Sequence, residues 1–219
     1  MLLSLTVRVG IVDATSILLA HVFVATITGN LVFLGLAIAG APGFSIGGSL
    51  LPIVAFAVGA VMGGRAFKAA GAHRGRAFRN VLGVKTFMAA AVTIVVIAAH
   101  GHFDARTRDY VIILLAISMG SQLAAIRFLG VRDLPTVVLT LVMTGAITEA
   151  ADRGLTDPVM LRRLLAIITF LIGITSGGLL VRHVSVAASL SVGLAIVVGV
   201  TIAAHLVSRD GSAAWATRN

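Results

Sequence analysis

HVFVATITGNLVFLGLAIAG (residues 21–40) is the stretch on which the reading of this chain turns. It is as long and almost as apolar as a helix that crosses a bilayer, which takes about 20 residues. Yet Thr28-Gly29-Asn30 stands in its middle, where such a helix should be most apolar. Glycine weakens a helix, and freed backbone groups at membrane depth are tolerated only beside protein or water. Asn30 adds two N–H donors and an acceptor. A broken or re-entrant helix fits this pattern. The N-terminal end of a half-helix is partly positive and can receive an anion or carboxylate. The plainer reading is a kink that serves packing.

Outward from that stretch the chain keeps the same character. It has 219 residues, 58% hydrophobic and 11% charged. A soluble domain is about 45–50% apolar and about 25% charged. Apolar runs recur from end to end, at 50–64, 84–99, 110–126, 134–148, 164–181 and 184–207. Residues 2–39 are too long for one straight span and barely long enough for two. With Asp13 and the Thr28-Gly29-Asn30 interruption, they fit one broken or re-entrant element better than two ordinary spans, with two tight spans as the alternative. The fold class is therefore all-α, a single polytopic membrane domain (1–219) of about six to seven transmembrane helices. The longest charge-rich stretch, roughly 65–85, is too short to bury a core of its own.

Several functions are excluded or disfavoured. With no cysteine there is no disulfide, thiolate catalysis or cysteine-ligated metal. The first residues lack a basic region and a small-residue cleavage site, so they read as the first helical element and not as a removable signal. The net charge of +9 would suggest nucleic acid in a soluble protein. Here it reads as cytoplasmic loop charge, and one Trp and one Tyr give no stacking surface. No phosphate-cradling glycine loop, HExxH or Gly-x-Ser-x-Gly occurs. His100 and His102 beside Asp104 make only a weak metal motif. The expectation is no cofactor, no metal and no nucleic acid; the partners are the lipid bilayer, a small anionic or polar solute and, as a candidate, a second copy of the chain.

An internal echo divides the chain. FAVGAVMGG (56–64) aligns with FLIGITSGG (170–178), pairing Phe56 with Phe170, Gly59 with Gly173, Gly63 with Gly177 and Gly64 with Gly178. Thr28-Gly29 and Thr144-Gly145 lie upstream at nearly the same offset. The expected halves are 1–102 and 106–208, each opening with an interrupted helical element. Inverted halves put more Lys and Arg on one side than parallel halves do, so the positive-inside rule favours inversion, with the 65–85 loop and both termini cytoplasmic. Gly59-x-x-x-Gly63 and Gly173-x-x-x-Gly177 read as close helix contacts without chemistry.

The candidate solute-binding residues are Asp13, Thr28, Gly29, Asn30, Gln122, Arg127, Thr140, Thr144 and Gly145, and no residue is assigned a catalytic role. Thr136, Thr140, Thr144 and Thr148 recur every fourth residue and form one stripe; their hydroxyls can also bond back to the carbonyl four residues earlier. Charges at membrane depth usually pair or line water, so two readings stand for Asp13 and Arg127: an ion pair between the halves, or Arg127 near an interface, snorkelling with Arg132 and Asp133. A solute transporter or channel is the leading reading. A membrane enzyme on lipid or quinone, with Asp13 as base and Glu149 nearby, and a non-transporting interaction partner are the alternatives.

GIVDA (10–14), TGNLVFLG (28–35), GSQLAAIR (120–127) and the Thr-Gly at 144–145 together resemble the YoaK family, small bacterial integral membrane proteins catalogued as a domain of unknown function. The resemblance covers nearly the whole chain. It implies a protein of the bacterial inner membrane and carries no activity with it. The second half reads Thr144-Gly145-Ala146, without the asparagine of the first.

Overall fold

The computed structural model describes residues 2–69, 74–101, 103–128, 139–149, 154 and 157–209. Among them are eight α-helices and no strand: α1 (Leu2–Ala20), α2 (Ile27–Ile38), α3 (Ile46–Ala69), α4 (Arg74–Ala98), α5 (Ala105–Phe128), α6 (Leu139–Thr148), α7 (Pro158–His183) and α8 (Val186–Arg209). Six of these, all but α2 and α6, are long and apolar enough to cross a bilayer. Twenty-four residues, as in α3, span about 36 Å at 1.5 Å per residue, against a hydrocarbon core of about 30 Å. The twelve residues of α2 reach about 18 Å, roughly half way.

Residues 2–39 are thus not one interrupted element. They form a full span, a turn at residues 21–26 and a separate short helix. Thr28, Gly29 and Asn30 are continuous with α2, in its first turn. The second half is likewise opened by an unbroken helix, α5, and only then a short one. Of the expected span 134–148, residues 139–148 form the ten-residue α6, and 134–138 lie outside the described residues.

The core is built around α1 and α5, most of which is buried. The outer helices turn large apolar side chains outwards: Val54, Val58 and Val61 on α3, Phe87, Ile94 and Ile97 on α4, Leu161, Ile168 and Leu171 on α7, Ile202 and Leu206 on α8. In water such a surface would be an aggregation hazard; against lipid tails it is the expected finish.

The closest helix contacts follow the glycines. A Cβ added at Gly63 would lie 2.6 Å from the Ser121 carbonyl oxygen, and one at Gly59 would strike the Ile117 carbonyl. One at Gly177 would lie 2.8 Å from Ile11 Cα, and one at Gly173 would strike the Val7 carbonyl. The reciprocal glycines complete both seams: Gly120 faces Phe56 and Ala60, and Gly10 faces Phe170, Gly173 and Ile174. Both pairs run parallel, because 59 and 63 meet 117 and 121, while 173 and 177 meet 7 and 11. The two small-xxx-small motifs are packing seams, as their spacing indicates. Elsewhere α4 packs on α5 and α1 on α8, while α4 meets α8, joined by a hydrogen bond between the Thr86 and Thr201 hydroxyls at 2.9 Å.

Candidate functional site

Two buried polar centres share α1. Asp13 and Arg8 are five residues apart, and both are hidden, at 3% and 1% exposure. Asp13 is fully engaged by the turn that follows its own helix. Its Oδ1 accepts from the backbone N–H groups of Val24 (3.0 Å) and Ala25 (2.8 Å), and its Oδ2 from the Thr26 hydroxyl (2.6 Å). Asn30 clamps the same turn from the other side. Its Oδ1 accepts from Phe23 N–H (2.9 Å) and its Nδ2 donates to the Phe23 carbonyl (2.6 Å). Val22, Val24 and Ala25 of this turn are buried, and these two side chains satisfy backbone groups that would otherwise lack partners there. Gly29 leaves room for the Phe23 ring, which a Cβ would approach to 2.6 Å. Phe23 then stacks on Phe33 (centroids 5.7 Å), and Phe33 meets Phe44 (5.4 Å). Asp13, Gly29 and Asn30 therefore build the α1–α2 turn, and Thr28 is exposed beside it.

The ion pair expected between Asp13 and Arg127 is absent. Every near acceptor position of Asp13 is taken by the turn, and Arg127 is exposed in the last turn of α5. Periodicity could show that both residues interrupt apolar runs, but not that local backbone donors would reach Asp13 first.

The α6 residues form a third cluster. Thr144 donates to the Thr140 carbonyl and Thr148 to the Thr144 carbonyl, each at 2.9 Å, and all three threonines are exposed. The stripe, of which Thr136 lies outside the described residues, is self-satisfied by back-bonding and does not face the bundle interior. Gly145 makes way for the guanidinium of Arg163 on α7, whose carbon would be 2.8 Å from an added Cβ. Arg163 holds Glu149 through two contacts, at 3.1 and 3.2 Å. This is the carboxylate that the enzyme reading would have set beside Asp13. In the exposed turn before α5, Asp104 accepts from Thr107, whose hydroxyl and then N–H hold that carboxyl below its usual range. His100 Nδ1 is 2.7 Å from the Ala98 carbonyl, and His102 lies outside the described residues.

A second set of buried polar side chains comprises Gln122 and three residues that sequence reasoning did not assign to a site. Arg8 Nε donates to the Gly193 carbonyl on α8 (3.2 Å), and its Nη1 lies 3.9 Å from Met119 Sδ on α5. Lys85 on α4 is wholly buried (0% exposed), and its Nζ has no hydrogen-bond partner. Ser118 and Gln122 flank Met119 on α5; Ser118 Oγ and Gln122 Oε1 are also buried without partners. No hydrogen bond or ion pair joins a described carboxylate to either cation. Both cations read in the sequence as inside-loop charge; in the fold they lie within the helix bundle. The signal was available, since each sits in an apolar run, in LTVRVGIV (5–12) and at the head of 84–99.

Six long apolar helices around a buried, partly unsatisfied polar core define a polytopic membrane protein. The chain belongs to the family whose model is described as "Protein of unknown function (DUF1275)", which matches residues 1–203. It is also similar to the UPF0700 transmembrane protein YoaK of Bacillus subtilis (strain 168), 31% identical over 181 residues that cover 77% of each chain. No solved structure matches.

Proposed function

We propose that this protein moves a small polar or anionic solute across the bacterial inner membrane, along a path between two inverted halves. The observation that carries the reading is where the unsatisfied polar atoms sit. Lys85 Nζ, Ser118 Oγ and Gln122 Oε1 are buried, and with Arg8 they lie on α1, α4 and α5, with α8 supplying a carbonyl. Two of these helices belong to each half. Polar groups at membrane depth are costly, and those without partners are characteristic of solute and ion pathways.

The packing supports the two-half reading. Exchange of α1–α4 for α5–α8 turns the α3–α5 seam into the α7–α1 seam, with Phe56, Gly59, Gly63 and Gly120 replaced by Phe170, Gly173, Gly177 and Gly10. It turns the α4–α5 contact into α8–α1, and returns the α4–α8 contact to itself. Successive spans alternate in direction, so α1 and α5 run oppositely, as inverted halves require. Arg65, Lys68, Arg127 and Arg162 fall at the end where α1 begins, and Arg106, Arg108 and Arg182 at the other. The positive-inside rule then favours a cytoplasmic α1 start. At the opposite end a cavity of about 170 Å³ of mixed lining, with His21, Ser49, Arg108 and Asp109 beside Phe33 and Phe44, serves as the outer vestibule.

Reconstitution tests the transport reading. Proteoliposomes with valinomycin are placed in iso-osmotic potassium nitrate, sulfate, succinate or chloride, or in glycine, and followed by light scattering. Swelling faster than in protein-free vesicles is expected in at least one anion. Uniform equality with protein-free vesicles would overturn the proposal. Topology has its own check in intact cells. A cysteine replacing Arg106 should react with an impermeant thiol reagent and one replacing Arg74 should not; the native chain has no cysteine to interfere.

A further inference from the structure

We propose that Arg8 and Lys85 form the binding centre for one compact oxyanion, a carboxylate or inorganic oxyanion, held with help from Ser118 and Gln122. This deepens the transport reading and rests on it for its physiological meaning, because the bound oxyanion would be the solute carried.

The first support is the contrast with the other buried charges. Among the described residues four charged side chains are buried: Arg8, Asp13, Lys85 and Arg163. Asp13 is met by three donors and Arg163 by Glu149. Arg8 and Lys85 meet no described carboxylate; Arg8 reaches a carbonyl and a sulfur, and Lys85 Nζ has no hydrogen-bond partner at all. Burying two like charges without a counter-charge is unfavourable in a low-dielectric core, so a negative group that binds between them recovers much of that cost.

The second support is that the centre is closed off at the near end of the bundle. Leu5 lies three residues before Arg8 and Leu82 three before Lys85, one helical turn away on the same faces. These two leucines pack with Val200 and Ala204 into a separate apolar cluster. On the far side lie Val9, Val12, Val92, Leu115 and Met119 of the main core. The cations therefore do not snorkel to the membrane surface, the usual recourse of Lys and Arg near helix ends. A ligand reaches them only when helices part, and the α4–α8 contact at Thr86 and Thr201 lies beside the leucine cluster on both helices.

The third support is the chemistry of the donors. Lys85 offers three N–H groups, Arg8 those left beside its bond to Gly193, Ser118 a hydroxyl and Gln122 an amide. A planar guanidinium matches the spacing of two oxygens and not a spherical halide. Two positive charges are neutralised by one dianion, whereas a monoanion leaves a residual charge. The expected order of binding is sulfate or succinate, then nitrate or acetate, then chloride.

The test is thermal unfolding of the purified protein, with each sodium salt titrated against sodium chloride at fixed ionic strength. Sulfate or succinate should raise the midpoint saturably in the native chain. Lys85→Met should lose the saturable part while keeping any general salting effect, and Gln122→Leu should weaken it about tenfold. In chloride alone Lys85→Met should unfold at a higher temperature than the native chain, with the order reversed in saturating sulfate. Lys85→Arg, which preserves both charges, should retain the shift. An equal saturable shift in Lys85→Met, or no saturable shift in the native chain with any oxyanion, would overturn the site. Uptake of labelled sulfate or succinate into proteoliposomes separates the two proposals. Saturable binding lost in Lys85→Met, with no uptake by the native protein, would sink the transport reading and leave the site standing. Uptake unchanged in Lys85→Met and Gln122→Leu would sink the site and leave the transport reading standing.

Discussion

Asp13 and Arg8 sit on the same helix, five residues apart and equally hidden, and the fold treats them in opposite ways. Asp13 is surrounded by donors from a turn only 11 to 13 residues further along the chain. Arg8 reaches across the bundle, to Gly193 and Met119, and finds a carbonyl and a sulfur but no carboxylate. One buried charge is a structural rivet; the other is left with capacity to bind. Burial alone therefore does not mark a functional charge at membrane depth. The census of its partners does.

The comparison breaks most readily at Asp13. Asp13→Ala would leave the N–H groups of Val24 and Ala25 buried without an acceptor, at about 1–3 kcal/mol each. A large fall in detergent-solubilised thermal stability is the expected outcome. Asp13→Asn should lose less, because Oδ1 keeps both N–H bonds and the Thr26 hydroxyl can turn to accept. If Asp13→Ala unfolds like the native chain, the carboxylate is not a rivet and the contrast with Arg8 collapses.

The glycine seams come next. Gly63→Ala and Gly177→Ala should each cost about 1–3 kcal/mol by forcing helices apart. Gly178→Ala, where a Cβ would meet nothing within 4 Å, should lie within about 0.5 kcal/mol of native. Similar losses at positions 63 and 177 fit two equivalent halves; a loss at only one would weaken that equivalence.

Asn30→Ala removes two bonds to the Phe23 backbone and should cost about 1–3 kcal/mol. Thr28→Val, at an exposed position, should change stability by less than about 0.5 kcal/mol and leave oxyanion binding intact. A loss of binding in Thr28→Val would move the anion site to the start of α2. The smallest effect concerns pH. Asp104 is held below the usual carboxylate range by Thr107, so its contribution is complete above that range and fades as pH falls through the lowered value. Hydrogen exchange at the Thr107 amide should quicken there, and in Asp104→Ala it should be fast at every pH.

Much of this protein follows from the chain alone. Five of the six long apolar helices, all but α1, and the two glycine seams are local or periodic properties, legible because a bilayer demands length and apolarity and close helix contact demands small residues. The Thr28-Gly29-Asn30 stretch was legible as unusual but not as what it is. A glycine signals a place where a helix is weak; only packing decided that this one accommodates Phe23 within a continuous α2. Tertiary structure alone also decided the partners of the charges. Helical periodicity assigns a residue to a face, but which helix meets that face depends on the whole bundle. Hence Asp13 found the turn and not Arg127, the threonine stripe of α6 turned outwards, and Arg8 and Lys85 were both buried in the bundle from helices far apart in sequence.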